Sequence, residues 1–187
     1  MNIANKLTML RISLIPIFLI ILYTGIPYNH YIAATVFAIA GITDIIDGHI
    51  ARSLGLITDF GKLVDPLADK LLVIAAMLWF VGAGTFPVWA ALLIILREFL
   101  ITGIRAVAGA RGNVIAADRL GKVKTLVTMI ALPFMFLPLA RPFEQFVDWE
   151  LISPWLNGFC ISAVVITTVI SGIDFVIKNK DLLNWKE

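Results

Sequence analysis

Six long apolar runs, parted by short polar breaks, leave this chain few ways to fold. They cover residues 7–24, 30–50, 66–83, 87–109, 122–140 and 154–177. Each is close to the roughly 20 residues an α-helix needs to cross a bilayer core at about 1.5 Å per residue. Polar and apolar positions do not alternate within them, so the strands of a membrane barrel do not fit. The breaks are punctuated by Thr24-Gly25-Ile26-Pro27, by Gly82 to Pro87 and by Arg141-Pro142. Connections this short place successive helices antiparallel and side by side. Composition closes the other routes. Of 187 residues, 60% are hydrophobic and 15% charged, against about 45–50% and about 25% in a soluble domain. A soluble monomer, a disordered chain and a coiled coil are excluded. The single cysteine, Cys160, excludes a disulfide framework and any multi-cysteine metal site. The expected fold class is all-α integral membrane, one domain over residues 1–187 with six transmembrane helices.

The basic residues orient the spans. Lys6 and Arg11 flank the first, Arg52 and Lys62 occupy the second loop, and Lys70 follows it. Arg111, Arg119, Lys122 and Lys124 surround the fourth loop, and Lys178, Lys180 and Lys186 form the tail. The first and third loops hold no basic residue, and the fifth holds only Arg141. Lysine and arginine accumulate on the cytoplasmic side, so both termini and loops two and four are expected there. The first run has a basic start and an apolar body like a signal peptide. No small-residue cleavage site follows it, so it reads as a retained helix.

Charge is scarce, yet five of the 13 acidic residues fall between Asp44 and Asp69. Asp44 and Asp47 are three apart at the end of the second span, followed by Gly48, Ala51 and Arg52. Asp65 and Asp69 are four apart at the start of the third, after Gly61. Residues three or four apart share a helix face. Two antiparallel helices joined by a short loop can then bring four carboxylates together at one edge of the membrane. Carboxylates that close repel unless a cation neutralises them. Oxygen-only donors favour a hard cation such as Mg2+, Mn2+ or Ca2+. Two such ions sharing ligands suit phosphoryl transfer. Asp59 reads as an ordinary loop acid. Ionisable groups within spans point to function by default.

The pattern Asp-x-x-Asp-Gly-x-x-Ala-Arg, eight residues, then Gly-x-x-x-Asp-x-x-x-Asp is complete from Asp44 to Asp69. It resembles the signature of the CDP-alcohol phosphatidyltransferases. The resemblance implies a six-helix membrane fold, the CDP-alcohol phosphotransferase fold, and a reaction that moves a phosphatidyl group from a CDP-linked lipid to an alcohol with release of CMP. It implies Asp44, Asp47, Asp65 and Asp69 as ligands of two divalent cations, Mg2+ with Mn2+ as the alternative, and Asp69 also as the catalytic base. It implies that Gly48, Arg52 and Gly61 hold the CDP group. Asn5, Thr8 and Arg11 match the Asn-x-x-Thr-x-x-Arg pattern common in the family's first helix. Asn5 and Thr8 then support the CDP or metal site, whereas without the resemblance an interfacial helix start with Arg11 snorkelling fits equally. The family also implies a homodimer.

The acceptor is read from the other charged segments. Glu98, Thr102 and Arg105 lie along one face of the fourth span, with Arg97 beside them. An Arg–Glu pair there has a purely structural reading. Gly121-Lys122-Val123-Lys124-Thr125 opens the fifth helix with two lysines and a hydroxyl. Such groups with free backbone N–H form a phosphate cradle, although positive-inside bias alone also explains a basic loop. Both segments resemble the glycerophosphate branch of the family. That resemblance implies CDP-diacylglycerol and glycerol 3-phosphate as substrates, with Arg105, Arg111, Arg119, Lys122 and Lys124 binding the acceptor phosphate. The site then faces the cytoplasm from a multi-pass protein of the cell inner membrane. Membrane lipid is a partner and nucleic acid is not. Two rivals remain: a family member using serine, inositol phosphate or a lipid acceptor, and a cation transporter with the aspartates as its ion site. A transporter needs polar residues along a whole transmembrane path, and the outer halves of these spans read as apolar.

Overall fold

The computed structural model describes residues 3–53, 59–110, 112, 115 and 118–180, with side chains for 9, 12–43, 70–109, 112, 115 and 118–180. Its elements are α1 (Ile3–Tyr23), α2 (Asn29–Ser53), α3 (Asp59–Gly82), α4 (Val88–Ala110), α5 (Arg119–Met135), α6 (Leu137–Ala140) and α7 (Trp149–Lys178). Among the described residues there is no strand. Each apolar run lies on one helix except the fifth, which is split between α5 and α6, and the helices overrun several of the runs. An apolar run marks where a helix can sit in hydrocarbon, whereas backbone hydrogen bonding continues into polar sequence. At α5 the early start has a local cause. Asp118 is extended (φ −75°, ψ 155°) and accepts from the Arg119 N–H at 2.8 Å, so the helix opens three residues before Lys122.

Pro133 lies within the fifth run, yet α5 passes it and is interrupted only at Phe136. Pro138 lacks the N–H that would bond back to the carbonyl of Phe134. The Phe136 N–H bonds Pro133 O at 3.1 Å, the tighter i to i+3 spacing. Helix resumes as α6 and ends at Arg141, which is left-handed (φ 49°, ψ 52°).

The bundle has an aromatic end and a charged end. Phe18, Phe37, Phe80 and Phe136 are fully buried. Phe18 lies 6.0 Å from Phe37 and 6.2 Å from Phe136, and Phe80 lies 4.5 Å from Phe136, between ring centres. They come from the late turns of α1 and α3, the early half of α2 and the close of α5, so they gather where those antiparallel elements meet. Aromatic pairs at these separations add to packing beyond the area they bury. Lower in the bundle, α2 approaches α5 closely at Gly41. A Cβ there would stand 3.2 Å from the Met129 sulfur. Small residues permit such approaches between helices in lipid, where packing rather than the hydrophobic effect holds helices together.

The outward faces are apolar. Leu92 and Leu96 on α4 are each 61% exposed, and Ile173 and Ile177 on α7 are 56% and 63% exposed. Such stripes are costly in water and ordinary against acyl chains. Among the described residues, Arg119–Ala140 and Trp149–Lys178 are long and apolar enough to cross a membrane. α4 carries Arg97, Glu98 and Arg105 within its 23 residues, and it folds them into the bundle's charged end.

Candidate active site

Asp44, Asp47, Gly48 and Arg52 fall in the last three turns of α2, and Gly61, Asp65 and Asp69 in the first three turns of α3. Asn5, Thr8 and Arg11 fall in the first half of α1, which packs against both α2 and α3. The side chains of all these residues, and the whole of Arg111, lie outside the described residues. Among the described residues no three His, Cys, Asp or Glu side chains group as a metal site. The donor set read from the sequence is four carboxylates on two successive helices, and its chemistry fits a hard divalent cation.

The described part of the site begins one residue after Asp69. Lys70 Nζ on α3 donates to Thr102 Oγ1 on α4, and that hydroxyl donates to the Glu98 carbonyl at 2.7 Å. The Glu98 carboxylate is held from two sides. Its Oε1 accepts from Arg97 Nη1 at 2.8 Å and from Lys124 Nζ of α5 at 2.7 Å. Arg97 reaches on to α7, where Nη2 donates to Ser171 Oγ at 3.0 Å. The α4 segment from Arg97 to Thr102 therefore ties three other helices. Lys124 is buried, and Thr128 below it is buried with its hydroxyl on the Lys124 carbonyl at 2.9 Å. A cavity of about 30 Å³ opens between α3, α4 and α5. Lys70, Glu98, Lys124, Thr125 and Thr128 line it above an apolar floor of Val73, Ile74, Met77 and Met129. That is room for a water or two, with polar partners to hold them.

Arg105 stands one turn beyond Thr102 on α4. Its guanidinium carbon lies 5.3 Å from the centre of the Phe175 ring, a cation–π distance. Its buried Nε has no hydrogen-bond partner among the described residues, and its charged neighbours are Arg97, Glu98 and Asp118. Buried N–H groups are nearly always paired, so this one has capacity for an acceptor group. Arg119 and Lys122 are exposed on the first turn of α5.

Asp118, Asp174 and Lys178 close the same end. Lys178 Nζ donates to Asp174 Oδ2 at 2.7 Å and to Asp118 Oδ2 at 3.0 Å, which joins the start of α5 to the end of α7. A hydrogen bond with Asp174, then those from Lys178 and the Arg119 N–H, draw the Asp118 carboxyl from its usual 3.8 to about 2. Sequence reasoning did not find Asp118. Its signal was an aspartate directly before a helix start, a cap pattern. Nor did it find the Glu98–Lys124 pair, which joins residues 26 apart and has no local signature.

Apolar flanks, a charged end to the bundle and an aspartate signature on the adjoining helix ends define a helical membrane protein with ionisable groups gathered at one end. The chain belongs to the CDP-alcohol phosphatidyltransferase family, whose model matches residues 1–176. It is 40% identical to the Bacillus subtilis protein named CDP-diacylglycerol–glycerol-3-phosphate 3-phosphatidyltransferase, over 97% of each chain. It is 37% identical to a Mycobacterium tuberculosis protein named probable phosphatidylglycerophosphate synthase, over 94% of this chain and 80% of that one. A Rickettsia bellii protein that carries the first of these names is 38% identical over 73% of this chain and 75% of its own.

Proposed function

We propose that this chain transfers the phosphatidyl group of CDP-diacylglycerol to glycerol 3-phosphate, giving phosphatidylglycerophosphate and CMP. The observation that carries the reading is the match along nearly the whole length of a relative named for that reaction. The polar end of the bundle supports a phosphate-bearing acceptor over serine, because a phosphate needs cations and serine needs fewer; the relatives' names favour glycerol 3-phosphate over inositol phosphate. Arg105, whose buried Nε has no partner among the described residues, is the best placed of the cations. Arg119 and Lys122 stand exposed beside the α4–α5 connection that holds Arg111.

In this reading Asp69 takes the proton from the 1-hydroxyl of glycerol 3-phosphate. The freed oxygen attacks the phosphorus that bears diacylglycerol, the bond to the CMP oxygen breaks, and CMP leaves. Asp44, Asp47, Asp65 and Asp69 would hold two divalent cations, Mg2+ or Mn2+, which supply charge neutralisation at the pyrophosphate. Gly48, Arg52 and Gly61, with Asn5 and Thr8, hold the CDP group. Six helices cross the cell inner membrane with both termini in the cytoplasm, and the chain works as a homodimer. The positive-inside distribution supports that orientation, and the family resemblance supports the dimer.

The test is CMP release by purified protein from CDP-diacylglycerol with Mg2+, with glycerol 3-phosphate, serine, inositol phosphate or a lipid alcohol supplied in turn. Turnover is expected with glycerol 3-phosphate, and Asp69→Asn should abolish it in a folded protein. Turnover with serine but not glycerol 3-phosphate would sink the acceptor assignment. Normal turnover by Asp69→Asn would sink the assigned base.

A further inference from the structure

We infer that Glu98 is a positioning residue for the acceptor, acting through Lys124. The inference rests on the phosphate-bearing acceptor of the preceding section. A buried ion pair is weak evidence for stability, since well-packed apolar residues often replace one at no loss. Here the pair sits in the wall of a polar cavity whose lining also includes Lys70, the residue after Asp69. The Lys124 ammonium is buried and donates to Glu98 Oε1 at 2.7 Å. A lysine stem has four rotatable bonds and spends considerable entropy to be held in one place. Glu98 is itself held by Arg97 from its own helix, and Arg97 is anchored in turn by donating to Ser171 of α7. The Glu98 carbonyl accepts from Thr102, the residue that receives Lys70. The Glu98 carboxylate thus sets where Lys124 stands in the cavity wall, while its main-chain carbonyl and Thr102 carry the contact to Lys70. Both lysines lie at the end of the bundle that receives the acceptor. Loss of the carboxylate leaves the Lys124 charge buried without its counter-ion, and the ammonium must turn toward water.

The experiment compares Glu98→Gln and Glu98→Asp with the unaltered enzyme, full length in lipid–detergent micelles. The KM for glycerol 3-phosphate, the KM for CDP-diacylglycerol and the thermal midpoint are measured for each. Glu98→Gln should raise the KM for glycerol 3-phosphate about tenfold while the KM for CDP-diacylglycerol stays within about twofold. Glu98→Asp keeps the charge on a shorter stem, so it should raise the same constant about threefold. It carries the test alone if the glutamine variant does not assemble. A purely structural glutamate would lower the thermal midpoint and the active fraction and leave both KM values unmoved; that result overturns the inference. An unaltered enzyme that ignores glycerol 3-phosphate overturns the acceptor reading first, and the inference with it.

Discussion

Arg105 shows what a single side chain contributes when it is half-buried and incompletely bonded. Its guanidinium rests on Phe175 and its buried Nε lacks a partner among the described residues, so an incoming phosphate meets a group already oriented and partly desolvated. Hydrogen bonds to charged groups contribute roughly 1.5–3 kcal/mol, a factor of roughly ten to a hundred in binding. Arg105→Gln should raise the KM for glycerol 3-phosphate by about that factor, with little change for CDP-diacylglycerol. Steady-state kinetics with each substrate varied in turn checks it, and an unchanged acceptor KM would remove Arg105 from the phosphate site. Lysine should recover only part of the loss, because it lacks the planar fork of donors. At this scale the sequence was readable where chemistry is local. The aspartate spacing and the stripe from Glu98 to Arg105 follow from helical periodicity, and the Arg97–Glu98 pair from simple adjacency. The bonds of Glu98 to Lys124, Arg97 to Ser171 and Lys178 to Asp118 join residues 26, 74 and 60 apart. Only tertiary packing decides such partners. The sequence therefore set Lys124 beside Lys122 as an equivalent cation, whereas the fold buries one and exposes the other.

Among the elements, α5 depends most on what lies just outside it. Asp118 caps its first N–H and also bonds Lys178 at the end of α7, so one carboxylate fixes where the helix opens and what it leans on. The groups around it are Asp174, Lys178, the Arg119 N–H and, more distantly, Arg105. The folded carboxyl titrates near 2 against 3.8 for an unrestrained one. A lowered folded value means stability that is complete above the unfolded pKa and lost as pH falls through the folded one. The thermal midpoint of the unaltered protein should therefore exceed that of Asp118→Asn by a constant margin from about pH 7 down to about pH 5. The margin should shrink steadily below about pH 4. A margin that persists undiminished toward about pH 2 would show that the carboxylate charge is not what joins α5 to α7. Element boundaries were less readable than element existence. Hydropathy located every long helix, but the Asp118 cap and the interruption before Pro138 are set by a few backbone hydrogen bonds that hydropathy does not register.

For the whole molecule, the two ends of the bundle differ in chemistry, and the difference follows the direction of the helices. The aromatic cluster of Phe18, Phe37, Phe80 and Phe136 gathers at one end. Lys70, Arg105, Asp118, Asp174 and Lys178 gather toward the other. The 141–148 connection belongs to the aromatic end, following α6, and Lys180 belongs to the charged end, following α7. If cytoplasmic substrates enter at the charged end, that end faces the cytoplasm and the 141–148 connection faces outward. The basic residues agree, with Arg141 alone in that connection and Lys178 and Lys180 at the close of α7. Cys160 is the chain's one cysteine and is buried, so Cys160→Ala provides a background free of thiols. On it, Gln145→Cys and Lys180→Cys place single thiols at exposed positions on opposite ends. In intact cells a membrane-impermeant maleimide should label Gln145→Cys at once and leave Lys180→Cys unlabelled until the membrane is opened. The reverse pattern would turn the protein over and place its cationic end away from the cytoplasm. Labelling of both thiols in intact cells would mean that the two ends of α7 lie on one side, and six crossings with cytoplasmic termini could not stand.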